Sequence, residues 1–236
     1  DNCVFLISKL YGKIFNKIVK ARTLEIAEFS KLLENIYRSV NIGFINEMKL
    51  IADRMGCDIY EILKIAETKP YGFVRFNPGP GIGGHCIPID PNFLYWKAKK
   101  KGISAKFIKL SAETNLKILD YLKKIVIKIN KKSKINKNKF KILILGITYK
   151  KNVDDLRESS SLNLIKKLKK NNFSKIYFSD PFVKSKPKTR DFGSSIKKID
   201  INSRNLKKFD LTILMTDHDN FDYKKINNNS KLILDT

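Results

Sequence analysis

No stretch of the 236 residues offers an apolar run near the ~18–20 positions that a membrane-spanning helix requires. The opening Asp1-Asn2-Cys3-Val4-Phe5-Leu6-Ile7 lacks the basic n-region of a secretory signal. Cysteine is scarce: Cys3, Cys57 and Cys86 form no CxxC pair, and only His85 and His218 stand beside them, so no metal site is expected. These absences predict a reduced, cytoplasmic protein with no membrane partner. Arginine is scarce as well. Of 48 basic residues 41 are Lys and 7 are Arg, whereas base readout and bidentate phosphate clamps favour Arg. The formal charge of +25 is spread through every segment alongside abundant Ile and Asn. It therefore predicts weak, non-specific attraction to polyanions and no specific nucleic-acid partner.

What is present is patterned. Apolar residues recur at steps of three and four from Phe29 through Leu32, Leu33, Ile36, Val40, Phe44, Ile45, Met48 and Ala52, predicting a long amphipathic helix over 28–55 that stops at Gly56. Asp58 reads as the N-cap of a second helix reaching Glu67. Thr68 to Pro91 holds five of the seven prolines and a cluster of glycines, and reads as irregular throughout. Helical spacing resumes over 93–101 and 106–130. The Lys/Asn-rich stretch that follows reads as a solvated linker. From Phe140 onward, strand-like runs (140–145, 175–179, 211–215, 232–234) alternate with a helix over 160–170. The fold class predicted is an α-helical domain followed by an α/β, Rossmann-like domain with a mainly parallel sheet.

Gly79-Pro80-Gly81-Ile82-Gly83-Gly84 matches the dinucleotide fingerprint G-x-G-x-x-G by letters. No strand pattern precedes it, and Pro88 and Pro91 argue against a helix after it, so the match is read as false. Glycines here let the backbone bend and approach a ligand closely. His85 and Cys86 follow at once. On residue chemistry alone Cys86 is as readily a small buried hydrophobe as a nucleophile presented on a loop.

Gly79 to Pro91, read as GPGIGGHCIPIDP, resembles the active-site loop of the nucleotide-sugar 6-dehydrogenases, the UDP-glucose/GDP-mannose dehydrogenase family. Glu28 to Asn35 resembles the central helix of that family, and Gly146 to Ser159 (GITYKKNVDDLRES) resembles the opening of its nucleotide-sugar-binding domain. The His before the Cys is similar to the branch that oxidises UDP-N-acetylhexosamines, with UDP-N-acetylglucosamine favoured and UDP-glucose as the alternative. The resemblance implies an enzyme that uses NAD to oxidise a sugar hydroxymethyl group to a carboxylate, feeding uronic acids into surface polysaccharide synthesis.

Carried onto this sequence, the resemblance makes Cys86 the nucleophile that captures the aldehyde. Lys31 and Asn35 become stabilisers of developing oxyanions, and Asp90 the group that orders water. It places Arg75, Phe76, Asn77, Gly79, Gly81 and Gly83 against the sugar and diphosphate, and Tyr149, Lys150 and Arg157 against the UDP moiety, with Asp154, Asp155 and Glu158 orienting those cations. It further implies a homodimer formed through the central helix. Residues 1–20 resemble only the trailing end of an NAD-binding domain, 21–130 the central domain, 131–139 a linker and 140–236 a UDP-sugar-binding domain that the resemblance implies is incomplete at its C-terminal end. NAD would then be bound mainly by a domain these residues do not supply, and the segment alone would be inactive. The alternative from another class is a catalytically inactive dimerisation and nucleotide-sugar-binding remnant. Asp180 and His218 fall at strand ends, where His218 reads as a polar loop residue.

Overall fold

The computed structural model describes residues 2–184 and 196–236. The chain divides into two compact units, residues 1–34 and 35–236. The first unit holds helix α1 (Asn2–Tyr11) and the opening of the long helix α2 (Leu24–Met55). Thr23 caps α2, its Oγ1 accepting from Ile26 N at 3.3 Å. Val4, Phe5, Leu6, Ile7 and Leu10 of α1 are exposed.

The second unit contains the rest of α2, then α3 (Ile59–Ala66), α4 (Cys86–Lys100) and α5 (Lys106–Ser133). The end of α2 has a physical cause. Gly56 takes a left-handed φ of 72°, and Cys57 N bonds back to Ala52 O at 3.0 Å, which closes the helix with a glycine cap. Asp58 caps α3 as expected, accepting from Tyr60 N at 2.8 Å. A small core of Ile45, Ala52, Ile59 and Leu63, with Met48, Phe73 and Phe76 beside it, joins α2 to α3.

Two expectations are corrected here. Helix α4 begins at Cys86, seven residues before the helical spacing suggests, so Pro88 and Pro91 do not exclude a helix after the glycines. Pro88 is the third helical residue, where no intrahelical donor is required; Pro91 removes one bond deeper in and is tolerated. Helix α5 runs to Ser133, three residues further than expected, and Lys134 ends it with a left-handed φ of 56°.

The α/β part comprises β1 (Lys141–Leu145), α6 (Ser160–Lys169), β2 (Lys175–Ser179), β3 (Lys197–Lys198), α7 (Ser203–Leu206), β4 (Leu211–Leu214), α8 (Tyr223–Asn229) and β5 (Ile233–Asp235). Strand order is β3-β2-β1-β4-β5, and every pairing is parallel. The period of two along β1 divides its side chains between two cores. Ile142 and Ile144 meet Leu119, Leu122 and Val126 of α5 and Leu164, Ile165 and Leu168 of α6. Leu143 and Leu145 meet Leu206, Phe209, Phe221 and Ile226 on the other face. Each such buried side chain contributes ~1.5–3 kcal/mol. The chain leaves β1 toward β2 on one side and returns as β4 on the other, so the carboxyl ends of β1 and β4 form the switch point where open α/β sheets bind ligands.

Candidate active site

Cys86 is the first residue of α4 and is exposed. Asp90 follows four residues on, one turn along the same helix face. Asn35, buried on α2, donates from Nδ2 to Asp90 Oδ2 at 2.8 Å. Its Oδ1 accepts from Arg38 Nη2 at 2.6 Å, which fixes the amide orientation from the other end. Cys86, Asp90 and Asn35 are thus gathered on two helices whose mutual placement is tied by a charge-assisted hydrogen bond.

The loop leading to Cys86 is pinned at both ends. Gly79 N donates to Asn46 Oδ1 at 2.9 Å, and Asn46 Nδ2 donates to Asn115 Oδ1 at 3.2 Å. Asn115 Nδ2 in turn donates to Ser111 O and Ser39 O at 2.9 and 3.2 Å. This buried amide ladder crosses from α2 to α5 and holds the start of the loop. At the far end Gly84 N donates to Arg157 O at 3.0 Å. A Cβ on Gly83 would lie 2.6 Å from Tyr149 Cβ, and one on Gly84, whose φ is 85°, would lie 2.8 Å from Tyr149 Cε2. Only glycine lets the Tyr149 ring lie against the backbone beside Cys86.

Arg157 accompanies that contact. Its guanidinium pairs with Asp155, Nη2 to Oδ2 at 2.6 Å and Nε to both carboxylate oxygens. Those hydrogen bonds hold the Asp155 carboxyl below its ordinary range and raise Arg157 above its own, with Tyr149 and Cys86 adding smaller electrostatic contributions. Lys150 is exposed beside Tyr149. Arg75 turns to Glu67, Nη1 to Oε2 at 2.7 Å, and to Asn77 Oδ1 at 3.0 Å. Phe76 packs on the α2–α3 core with its ring edge-on to Tyr37. Lys31 is exposed on the part of α2 that belongs to the first unit.

Two cavities flank the glycine loop. One of about 360 Å³ is lined by Ile82, Ile87, Pro91, Asn115 and Ser160. The other, of about 140 Å³, lies at the switch point among Gly81, Thr148, Lys150, Ser160 and Thr216.

Some site residues escaped the sequence reading. Asn46 and Asn115 are polar residues on helix faces that read as apolar. His218 is fully buried, and Asp180 is nearly so. The Asp180 carboxylate accepts from Ile147 N at 2.7 Å, Thr148 N at 3.2 Å and Phe182 N at 2.8 Å. His218 Nε2 stands 3.1 Å from Asp180 Oδ2 and 3.1 Å from Thr148 Oγ1, while Nδ1 accepts from Asn152 N at 3.0 Å.

Comparison with known proteins decides the relationship. Residues 25–117 match the family model described as UDP-glucose/GDP-mannose dehydrogenase family, central domain, and residues 143–236 match that of the same family's UDP binding domain. The chain belongs to the UDP-glucose/GDP-mannose dehydrogenase family. Family members similar to it include a UDP-N-acetyl-D-mannosamine dehydrogenase from Methanocaldococcus jannaschii, 37% identical over 95% of this chain and 49% of that protein. Another is a UDP-N-acetyl-D-glucosamine 6-dehydrogenase from Pseudomonas aeruginosa, 32% identical over 79% of this chain and 45% of that protein. Among solved structures, the UDP-N-acetyl-mannosamine dehydrogenase Cap5O from S. aureus superposes with a TM-score of 0.77 at 28% identity, over 99% of this chain and 53% of that one. The chain thus spans about half the length of the family members it matches.

NAD, which membership of this family implies, does not fit the described residues. The glycine match at 79–84 has no strand before it, and Tyr149 fills the space beside Gly83 and Gly84. The strand that does lead to a glycine, β1 into Gly146, is followed by Thr216 packed where a Cβ would lie, and α6 begins only at Ser160. Among the described residues no cluster of His, Cys, Asp or Glu is arranged to hold a metal, and no helix is long and apolar enough to cross a membrane.

Proposed function

We propose that this chain carries the nucleotide-sugar site and the nucleophile of a UDP-N-acetylhexosamine 6-dehydrogenase. The observation that carries the reading is Cys86, exposed at the start of α4, one helical turn before an Asp90 that is oriented by buried Asn35. The Cys86 thiolate adds to the C6 aldehyde carbon of the sugar to give a thiohemiacetal. Loss of a hydride from that carbon to the family's NAD would leave a thioester, which water ordered by Asp90 would hydrolyse to the carboxylate and the free thiol. Asn35 stabilises the oxyanions of these steps. The hydride acceptor, NAD by family, binds outside the residues described here.

Tyr149, Lys150 and Arg157 take the UDP group at the switch point, with the ring available to the base and the cations to ribose and phosphate. The backbone of Gly79, Gly81 and Gly83 forms the sugar-side wall, while Arg75 and Phe76 are turned to Glu67 and to the α2–α3 core. Relatives named for both N-acetylmannosamine and N-acetylglucosamine support the N-acetylhexosamine class. Exposed Tyr37, Phe44, Ile51 and Met55 on α2 support a homodimer through that helix, and three cysteines without disulfides suit a cytoplasmic location.

The test is a thermal-shift series with UDP-N-acetylmannosamine, UDP-N-acetylglucosamine and UDP-glucose. A ligand at ~100 Kd stabilises by roughly 2.7 kcal/mol, so the N-acetylated sugars should raise Tm by several degrees and UDP-glucose less. Equal indifference to all three contradicts the reading. In the complete enzyme, formation of NADH should disappear with Cys86→Ala. Activity surviving that change would leave the binding role and remove the nucleophile.

A further inference from the structure

The 148–152 turn carries Tyr149 and Lys150 past the carboxyl end of β1, and the turn is held from beneath by a residue that the reaction does not use. Asn152 sits at a left-handed φ of 59°, a conformation that asparagine adopts more readily than other non-glycine residues and that outside support here holds in place. Three contacts supply it. Asn152 N donates to His218 Nδ1 at 3.0 Å, Asn152 Nδ2 donates to Asp219 Oδ2 at 2.6 Å, and Asp219 N donates back to Asn152 Oδ1 at 3.1 Å.

Because Nδ1 accepts, the proton of neutral His218 resides on Nε2, facing Asp180 Oδ2 and Thr148 Oγ1, each 3.1 Å away. Thr148 Oγ1 donates in turn to Lys150 O at 3.1 Å. The imidazole thus holds the turn at both ends, at Asn152 through Nδ1 and at Thr148 through Nε2. Asp180 fixes the ring while accepting from the backbone of Ile147 and Thr148. Phe182 and Phe221 pack on the ring at centroid distances of 5.0 and 5.5 Å. Between the turn and the loop after β4 lies the cavity of about 140 Å³.

We propose that His218 is a positioning residue for nucleotide recognition: its two ring nitrogens set the 148–152 turn, and through it the reach of Tyr149 and Lys150 toward a uridine diphosphate group. The proposal rests on the assignment of Tyr149 and Lys150 to the UDP moiety.

The experiment is calorimetric titration of UDP into this chain, wild type and substituted, well below the melting point of each variant. Asn carries its side-chain oxygen near the place of Nδ1, whereas Gln places an amide nitrogen near Nε2 and offers Asn152 no acceptor. His218→Asn, which keeps the acceptor and forfeits only the shared Nε2 contact, should weaken UDP binding about threefold, and His218→Gln, which forfeits the acceptor, should weaken it about tenfold or more. Lys150→Ala serves as the control for the nucleotide assignment. If Lys150→Ala weakens UDP binding while His218→Gln stays within threefold of wild type, the assignment stands and the positioning role is overturned. Equal losses in the Asn and Gln variants also overturn it, since the acceptor would then not matter. A wild-type chain indifferent to UDP overturns both. Should His218→Gln melt below the assay temperature, Thr148→Val takes its place, removing the hydroxyl between Nε2 and Lys150 O at constant shape. An unchanged affinity in that variant contradicts the proposal.

Discussion

Asn35 and Asp90, 55 positions apart in the chain, meet at 2.8 Å through an amide donor and a carboxylate acceptor. Asn35 is buried, and its amide oxygen is already engaged by Arg38, so its NH2 group can face only one way. The bond joins the helix bearing Cys86 to α2, and the placement of the nucleophile depends on it.

A double-mutant cycle measures that bond. Asn35→Ala should cost about 1.5–3 kcal/mol of unfolding free energy, as for a hydrogen bond to a charged acceptor. Combined with Asp90→Ala, the pair should show a coupling of about 0.5–3 kcal/mol by urea denaturation. Strict additivity of the two single changes would mean that the two side chains do not sense each other.

Glycine 84 provides a second check, with a control built into the chain. Gly84 and Gly102 both take left-handed φ values, 85° and 76°, but only at Gly84 would a Cβ strike the Tyr149 ring. Gly102→Ala should cost about 1–2 kcal/mol from backbone strain alone. Gly84→Ala should cost about 2–4 kcal/mol, since displacement of the ring adds to the strain. Denaturant midpoints compared at equal m-value decide it, and equal losses would remove the close packing of Tyr149 from the account.

Tyr223 reports on the loop after β4. Its hydroxyl donates to His218 O at 2.8 Å, and burial, followed by the carboxylates of Asp217, Asp219 and Asp235, pushes its pKa up to about 12. The unfolded phenol titrates near 10. A raised native pKa means that the folded state keeps its proton longer, so this contribution to stability is complete below pH ~10 and is lost as pH climbs toward ~12. Tyr223→Phe should flatten that alkaline limb of the stability curve. A phenolate absorbance that appears with full amplitude near pH 10 in the native protein would contradict the assignment.

Much of this architecture was legible in the residues. The three-and-four spacing of α2 and the cap at Asp58 are local patterns, and the structure follows them within a few residues. The strand runs emerged as a parallel sheet because alternating strands and a helix leave few other topologies. The start of α4 is not legible in the residues because proline reads as a helix breaker, although a first-turn proline lacks only a donor that has no partner there. Asn46–Asn115 and Asp180–His218 were illegible for a different reason. Each joins polar residues 38 to 69 positions apart, and no periodicity marks a polar side chain that is buried only because a distant partner meets it. Asn35 and Asp90 were singled out by resemblance, but the bond between them was not.

The most direct measurement of the central claim is peptide-resolved alkylation of the three cysteines, all exposed in the free chain. Iodoacetamide should modify Cys3, Cys57 and Cys86 in the absence of ligand. Saturating UDP-N-acetylmannosamine or UDP-N-acetylglucosamine should slow modification at Cys86 by about tenfold or more while leaving the other two unchanged, because a sugar seated for attack covers that sulfur alone. A Cys86 rate that ignores both nucleotide sugars, or protection spread equally over all three thiols, would contradict the assignment of this cysteine to the sugar site.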